Sequence, residues 1–314
     1  MQDNDRFTTL GRLEDLPQSY RDELTQLNLV PLWPSLRAVL PPHVPTRRTQ
    51  ATHWSYQKLR PLLLQAGELT PIEKAERRVL VLANPGHGLE KMQASAAMYL
   101  GMQLLLPGEW APSHRHTQSA LRFIVEGQGA YTAVDGERTT MHPGDFIITP
   151  SWTWHDHGCE GNEPVVWLDG LDIPMIRFLD AGFAENGSAA SQIVTRAEGS
   201  SYAQYGHSMA PVRVDSQHGS PFGKTSPIFS YPYERSREAL HKLEQSAAVD
   251  AWDGVKLRYI NPLTGGSPMP TMATFMQRLR GRPLIVWTSE SAADTVRAVR
   301  FADNVIANPP GLRP

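Results

Sequence analysis

Five of the eleven histidines lie between positions 114 and 157, mostly in two short motifs. His114-Arg-His116 and His155-Asp-His157 each place two imidazoles two residues apart, and residues two apart on a β-strand point to the same face. Three neutral imidazoles supplied by two facing strands suit a divalent first-row metal and leave positions for water or substrate. The alternative is a cluster of surface histidines, because an isolated His-x-His motif carries little information.

Arg122 is the candidate anion-binding residue. If His114 to Val125 forms one strand, Arg122 shares a face with the first two histidines. A guanidinium inside a barrel is costly unless it meets a carboxylate, and a substrate carboxylate would serve through a bidentate contact. The alternative is an internal ion pair with Asp169 or Asp172.

His157 lies two residues beyond His155 and is expected on the same strand face. Because imidazole titrates near neutrality, His157 is a candidate to accept a proton from a substrate hydroxyl. The alternatives are a histidine that only orients its neighbour, or a fourth metal ligand.

Turn signals surround these motifs, and their spacing resembles the two motifs of the cupin superfamily. The matching positions are Gly108, His114, His116 and Gly127 in the first motif and Gly144, Pro150 and His155 in the second. Ala120 stands where many cupins place a glutamate ligand, and Trp152 stands where a glycine is usual. The resemblance therefore implies an all-histidine site whose metal keeps its full charge and favours anionic, chelating substrates.

The flanking residues resemble the gentisate 1,2-dioxygenase family over roughly residues 17 to 280. The matching segments are Pro31–Trp33, Ala75–Pro85, Ala111–Gly127, Met141–His157, Trp167–Asp172 and Asn261–Gly266. Salicylate and 1-hydroxy-2-naphthoate dioxygenases share this framework, so the resemblance specifies the family better than the substrate.

The resemblance implies a mostly β, bicupin enzyme that uses non-haem Fe(II) and O2 to cleave gentisate to maleylpyruvate. Cleavage would fall between the carboxyl-bearing and hydroxyl-bearing carbons of a substrate chelated through those two groups. The implied residues are His114, His116 and His155 as metal ligands, His157 and Arg122 as catalytic residues, and Arg78, Tyr99, Arg122 and Asp169 around the substrate. Without the resemblance, Arg78 and Tyr99 would be interpreted as edge and core residues. The alternatives are a salicylate or 1-hydroxy-2-naphthoate dioxygenase, or a catalytically silent cupin binding module.

Composition limits the classes of partner. The formal net charge of −2 provides no basic surface for nucleic acid, and no apolar stretch approaches the ~20 residues of a membrane helix. Cys159 is the only cysteine, which excludes an internal disulfide framework. We expect a cytoplasmic protein whose partners are a small aromatic hydroxy acid and O2. By resemblance, we expect a homotetramer if the C-terminus permits it.

The chain is expected to contain five parts. They are an N-terminal helical and loop segment (1–74), a first cupin barrel (75–174), an interdomain connection (175–254), the start of a second cupin (255–279) and an atypical tail (280–314). Helical spacing predicts helices over Ser19–Leu27 and Glu234–Ser246, and Val134-Asp-Gly-Glu137 predicts a tight hairpin.

The last 35 residues lack every cupin motif, although Met269–Leu279 resembles the opening strand of a second barrel. Too few residues remain to close a barrel of about eight strands. The hypothesis is a truncation or an altered reading frame after about residue 279. In that case Leu284–Trp287 would be a lone strand on the first barrel or part of a disordered end.

Overall fold

A boundary between Arg48 and Thr49 divides the chain into two units. The computed structural model describes residues 10–189, 191–208, 225–246, 254–279, 282–288, 299–300 and 304–307, the last three stretches as backbone. Unit one contains helices α1 (Gln18–Gln26) and α2 (Leu36–Val39), with 3-10 turns at Leu13–Asp15 and Trp33–Ser35. The predicted first helix is confirmed. The five-part division of the chain stays a prediction.

The larger unit is built mainly from antiparallel strands. Its first eight strands are β1 (Thr52–Ser55), β2 (Val79–Val81), β3 (Tyr99–Leu105), β4 (Trp110–His116), β5 (Ala120–Glu126), β6 (Ala130–Val134), β7 (Glu137–Thr140) and β8 (Phe146–Thr149). They are followed by β9 (His155–Cys159), β10 (Val165–Leu171), β11 (Ala184–Asn186), β12 (Ser230–Tyr231), β13 (Val255–Arg258), β14 (Ala273–Leu279), β15 (Arg282–Thr288), β16 (Val299–Arg300) and β17 (Asn304–Ala307). Its helices are α3 (Tyr56–Leu69), α4 (Ile72–Ala75), α5 (Ile173–Phe178), α6 (Ser200–Tyr205) and α7 (Tyr233–Ser246), with 3-10 turns at Pro85–His87 and Leu89–Lys91.

Two sheets form the predicted barrel. One has the strand order β12-β8-β5-β10-β3-β2 and the other the order β11-β4-β9-β6-β7. Apolar side chains from both sheets fill part of the interior, with Ile124 and Trp167 from the first sheet and Ala130 and Cys159 from the second. The outer face of the first sheet carries a second apolar core, in which Phe123 and Leu168 pack in one cluster with Leu63 of α3 and Leu240 of α7.

The hairpin turn and the helix α7 that the sequence predicts are both present in the structure. Asp135 and Gly136 have φ angles of +47° and +81°, the primed-turn conformation expected for the predicted hairpin between β6 and β7. Gly129 is required for another reason, since a Cβ atom there would lie 2.4 Å from Cα of Gly161. The predicted helix over Glu234–Ser246 is also confirmed, beginning one residue earlier at Tyr233.

The prediction of one strand from His114 to Val125 is wrong. Strand β4 ends at His116 and β5 begins at Ala120, and the two strands belong to different sheets. Between them, the backbone N–H of Ser119 donates to Oδ1 of Asp172 at 2.9 Å. Arg122 therefore approaches the histidines from the opposite wall of the barrel, not from the same strand.

A third sheet has the strand order β1-β17-β16-β15-β14-β13 and contains β14, which lies in the segment predicted to open a second cupin. Strand β15 pairs with β14 over seven residue pairs and also with β16, so the prediction of a lone strand at Leu284–Trp287 on the first barrel is wrong. Residues 289–298, 301–303 and 308–314 lie outside the described residues. The idea of a truncation or altered frame concerns this region and stays a prediction.

None of the helices in the described part of the chain combines the length and apolar character that crossing a bilayer requires.

Asp145 joins the turn before β8 to helix α7, and this contact yields a stability prediction. Its carboxylate accepts hydrogen bonds from the backbone N–H groups of His142 at 3.0 Å and Tyr233 at 2.8 Å. We expect Asp145→Ala to lower the free energy of unfolding by about 1–3 kcal/mol, because both donors lose their acceptor. Urea denaturation measures the change. The control Glu163→Ala removes an exposed carboxylate and should change the free energy of unfolding by less than ~0.5 kcal/mol. Equal losses in the two variants would contradict a stabilising role for the hydrogen bonds that Asp145 accepts.

Candidate metal centre

Three histidines converge inside the barrel. His114 and His155 are register partners on β4 and β9, and His116 ends β4. One nitrogen from each ring lies within 4.8 Å of the others, and the ring centroids are 4.1–5.2 Å apart. Within the described ranges, this is the only group of three or more potential ligands from His, Cys, Asp and Glu that is close enough to hold a metal ion. The three predicted ligands therefore lie together, and their role in binding metal stays a prediction.

Burial keeps these imidazoles neutral. Desolvation lowers the pKa of His114 to about 2 and that of His116 to about 4, and it places the pKa of His155 well below its usual value. Nδ1 of His116 lies 2.8 Å from the carbonyl oxygen of Gln118, and Nδ1 of His155 lies 2.9 Å from that of Thr153. Since a carbonyl oxygen only accepts, these Nδ1 atoms carry the protons and the Nε2 lone pairs are available to a metal.

His157 lies beside the cluster as predicted, although it is not a member of the three-histidine group. Its ring centroid is 5.8 Å from that of His155, and its side chain is buried. Nδ1 is 2.7 Å from the Thr132 hydroxyl oxygen, which lies 3.3 Å from the carbonyl oxygen of Asp156. If the hydroxyl donates to that carbonyl, it accepts from Nδ1–H and leaves Nε2 of His157 as a base.

Arg122 and Asp169 form the opposite wall as register partners on β5 and β10. Nε of Arg122 lies 3.2 Å from Oδ1 of Asp169, yet neither atom makes a well-aligned hydrogen bond within the described structure. Nη1 of Arg122 donates to the Thr149 hydroxyl at 2.8 Å, and the Trp167 indole donates to Oδ2 of Asp169 at 2.9 Å. Burial raises the pKa of Asp169 to about 6. The internal ion pair considered from the sequence is therefore present with Asp169.

Asp172, the other partner considered, is engaged elsewhere: it accepts from Ser119 N–H and from the Thr271 hydroxyl at 2.6 Å.

Tyr99 continues this wall on β3. Gly101 is the register partner of Asp169, and Tyr99 lies two residues before it, on the same strand face. A Cβ atom at Gly101 would lie 2.7 Å from the Tyr99 hydroxyl, so glycine leaves room for the phenol. Burial and the nearby Asp169 carboxylate raise the pKa of Tyr99, so its side chain is a neutral hydroxyl beside Asp169.

The structure places the predicted substrate residue Arg78 in a structural ion pair. Its two terminal nitrogens each donate to Glu109 at 2.8 Å, and its Nε donates to the carbonyl of Thr70 at 3.0 Å. The neighbouring Arg77 contacts His114 instead: its Nη2 lies against Nδ1 of His114 and donates to the carbonyl of Pro112. Arg77 was missed from the sequence, although adjacent residues at the start of a strand face opposite ways and one of two arginines had to face inward.

Comparison with known proteins agrees with this geometry. A model of the cupin domain matches residues 101–171. Gentisate 1,2-dioxygenase of Ralstonia sp. is 61% identical over 256 residues, which cover 82% of this chain and 70% of that protein. Gentisate 1,2 dioxygenase 1 of Aquipseudomonas alcaligenes is 46% identical over 275 residues, or 87% of this chain and 77% of that protein. The chain belongs to the gentisate 1,2-dioxygenase family.

A solved structure of another enzyme also superposes on this chain. Salicylate 1,2-dioxygenase of Pseudoaminobacter salicylatoxidans, in adducts with gentisate, superposes with a TM-score of 0.77 at 34% identity. The match covers 89% of this chain and 76% of that chain. The resemblance and the cupin fold predicted from the sequence are thereby confirmed.

The gentisate 1,2-dioxygenase family depends on Fe(II), and the residues present fit that ion. Imidazole nitrogens suit iron among the first-row metals, and three of them leave coordination positions open. The three rings are buried, neutral and close together, and two of them are oriented by backbone carbonyls.

The buried histidines predict loss of stability in acid. Unfolding exposes imidazoles whose pKa returns to about 6.5, so the unfolded chain binds more protons and stability falls as pH drops below that value. The four histidines are His114, His116, His155 and His157, and each contributes about 1.4 kcal/mol per pH unit between its unfolded and folded pKa values. Asp169 has the opposite effect. Its pKa is raised from 3.8 to about 6, so between these values the folded chain holds a proton that the unfolded chain releases, which offsets the proton of one histidine.

The test compares unfolding free energies at pH 7 and pH 5 in the presence of a chelator. His116→Gln should reduce the pH dependence by about one proton, and His53→Gln, which changes an exposed histidine on β1, is the control and should change it less. Identical pH dependence for His116→Gln and the unaltered chain would show that this histidine is not buried in its neutral form.

Proposed function

We propose that this chain is an Fe(II)-dependent dioxygenase that uses O2 to cleave gentisate to maleylpyruvate, between the carboxyl-bearing and hydroxyl-bearing ring carbons. The observation that carries the proposal is the buried cluster of three neutral imidazoles facing a cationic wall. Two relatives named for gentisate are 61% and 46% identical, against 38% for one named for 1-hydroxy-2-naphthoate, which favours gentisate as the substrate. A silent binding module is disfavoured because His157 and Arg122 accompany the three histidines.

His114, His116 and His155 would hold the iron. When bound, Fe(II) supplies a Lewis-acid centre and an electron donor for O2, and the three neutral ligands leave its positive charge undiminished.

Arginine side chains would orient the substrate carboxylate. Arg77 contacts His114, and Nη1 of Arg122 donates at 3.4 Å to the Thr132 hydroxyl that also contacts His157. Arg122 keeps an imperfect ion pair with Asp169, so its Nε is positioned to form a better-aligned bond with an arriving carboxylate. Holding the ring in one orientation makes the reaction effectively intramolecular.

His157 would manage the proton of a ring hydroxyl. Its pKa is well below the usual value because of burial and the charge of Arg122, so the imidazole is a neutral acceptor at neutral pH. Its bond with Thr132 orients the ring, and Nε2 would accept the hydroxyl proton as the substrate binds. Tyr99 and Asp169 would border the ring, the first as a hydroxyl donor and the second by holding Arg122.

Other expectations stay proposals. The assignment of Arg78 to the substrate is now less favoured than that of Arg77, and the cytoplasmic location and the homotetramer await direct measurement.

The substrate assignment is tested by oxygen uptake of the full chain after anaerobic loading with Fe(II). Gentisate, salicylate and 1-hydroxy-2-naphthoate are supplied in parallel, and the ring-cleavage product is identified by mass spectrometry. We expect uptake to be fastest with gentisate and to match product one for one. Faster turnover of either alternative would reassign the substrate, and no uptake with iron bound would favour a silent module.

The ligand assignment predicts the behaviour of His155→Ala. Losing one of three imidazoles should lower Fe(II) affinity by at least 10-fold and abolish turnover. Iron content after gel filtration and oxygen uptake measure both effects. The control His142→Ala changes an exposed histidine and should retain both properties. Full iron content and activity in His155→Ala would refute the assignment.

The two adjacent arginines should separate into substrate and stability roles. Arg77→Lys loses the planar contact with an anion, so we expect the KM for gentisate to rise roughly 10-fold with little loss of stability. Arg78→Lys breaks the buried bidentate pair with Glu109 and should cost about 1–3 kcal/mol of unfolding free energy with KM nearly unchanged. The opposite pattern would restore Arg78 as the substrate residue.

A further inference from the structure

Arg115 lies between His114 and His116 in sequence but on the opposite, outer face of β4. Its guanidinium carbon is 4.4 Å from the centre of the Trp152 ring and 4.6 Å from that of Trp154. Its Nε and Nη2 donate to one carboxylate oxygen of Glu185 at 2.8 and 2.6 Å. The side chain is therefore held by two indole rings and a carboxylate. We call these four residues the outer clamp.

The outer clamp lies where the backbone ladder between β4 and β9 is interrupted. Ala111 pairs with His157, the register then shifts by one residue, and His114 with His155 is the last pair. His116 lies beyond the start of β9, so no ladder pair holds it against that strand. Its carbonyl instead accepts a hydrogen bond at 2.8 Å from the backbone N–H of Trp152, in the turn that leads to His155.

Trp152 adopts an unusual backbone conformation for a bulky residue. Its φ angle is +62°, in the left-handed region that favours glycine. Its ring contacts Arg115 and also lies 4.6 Å, centroid to centroid, from the ring of Phe183. Such strain persists where the surroundings determine it and is concentrated near functional sites, which points to a role for this side chain.

We propose that Arg115 is a positioning residue for the metal centre. Through the outer clamp it holds β4 against the turn before β9, and so sets the separation between the imidazoles of His116 and His155. The proposal rests on the assignment of His114, His116 and His155 as iron ligands. Arg115 touches neither metal nor substrate. Its effect is to keep the ligand set arranged before iron arrives, which lowers the cost of ordering it on binding.

Arg138 provides a matched control on the same sheet. Its guanidinium carbon is 3.9 Å from the centre of the Tyr131 ring, and its terminal nitrogens donate to the two oxygens of Glu160 at 3.0 and 2.5 Å. Arg138→Ala therefore removes the same kinds of contact as Arg115→Ala. The loss occurs on β7, away from the turn that leads into β9.

The test measures Fe(II) affinity anaerobically by competition with a chromophoric chelator, and the absorption spectrum of the Co(II)-loaded protein as a report on ligand geometry. We expect Arg115→Ala to bind Fe(II) at least 10-fold more weakly and to alter the Co(II) spectrum, with Arg138→Ala like the unaltered chain. Arg115→Lys keeps the charge and should restore part of the affinity. Trp152→Gly should also weaken Fe(II) binding. Glycine suits the positive φ at this position, so the loss would come from the missing indole contact with Arg115 and not from backbone strain.

Equal losses of affinity in Arg115→Ala and Arg138→Ala, or no loss in either, would overturn the proposal. If Arg115→Ala does not fold, Arg115→Lys and Glu185→Gln decide, and unchanged affinity in both would overturn it. His155→Ala in the same assay separates the two levels of inference. Full affinity in His155→Ala refutes the ligand assignment itself, whereas its loss together with full affinity in Arg115→Ala refutes only the role of the outer clamp.

Discussion

The structure depends on keeping three imidazoles neutral, dry and close together. Burial in the barrel lowers their pKa, so the rings stay neutral even below pH 6.5, and the pairing of His114 with His155 brings β4 and β9 into the one register that makes them neighbours. A slip of one residue would turn the histidines to the outer face, because side chains alternate along a strand. The hairpins, the glycine turns and the two apolar cores serve to hold these two strands in that register.

The opposite wall supplies the charge that the histidines lack. Arg77 and Arg122 approach the cluster, whereas Asp169 is the acid that pairs with Arg122 across β5 and β10. That pair is close but poorly aligned, which is an unfavourable arrangement in a dry interior. A carboxylate ligand would accept the hydrogen bond that Nε of Arg122 lacks. The Arg122–Asp169 pair is therefore less stabilising than apolar packing would be, but it is better prepared to bind a carboxylate. The pair of Arg78 with Glu109 differs, because there the hydrogen bonds between the guanidinium and the carboxylate are well formed.

Period-two spacing predicted that His114 and His116 share one strand face and that His155 and His157 share another, because side chains two apart on a strand point the same way. The choice of His114, His116 and His155 as the ligand set came from the family resemblance. The Asp-Gly hairpin and the amphipathic helix α7 were also local signals and were predicted correctly. The crossing between sheets at residues 117–119 was missed, because Thr-Gln-Ser carries no glycine or proline to mark it. Arg77 and Arg78 could not be separated without the register of β2 against β3. The outer clamp and the pairing of β1 with β17 join residues distant in sequence, which no local pattern reveals.

The central claim is that one cluster holds Fe(II) and receives the aromatic acid at the same place. Electron paramagnetic resonance of the Fe(II)-loaded full chain with nitric oxide, recorded anaerobically with and without gentisate, tests this most directly. The account predicts one iron–nitrosyl species per chain whose spectrum changes when one equivalent of gentisate is added. An iron–nitrosyl spectrum that saturating gentisate leaves unchanged, or the same signal from a chain lacking His114, His116 and His155, would contradict it.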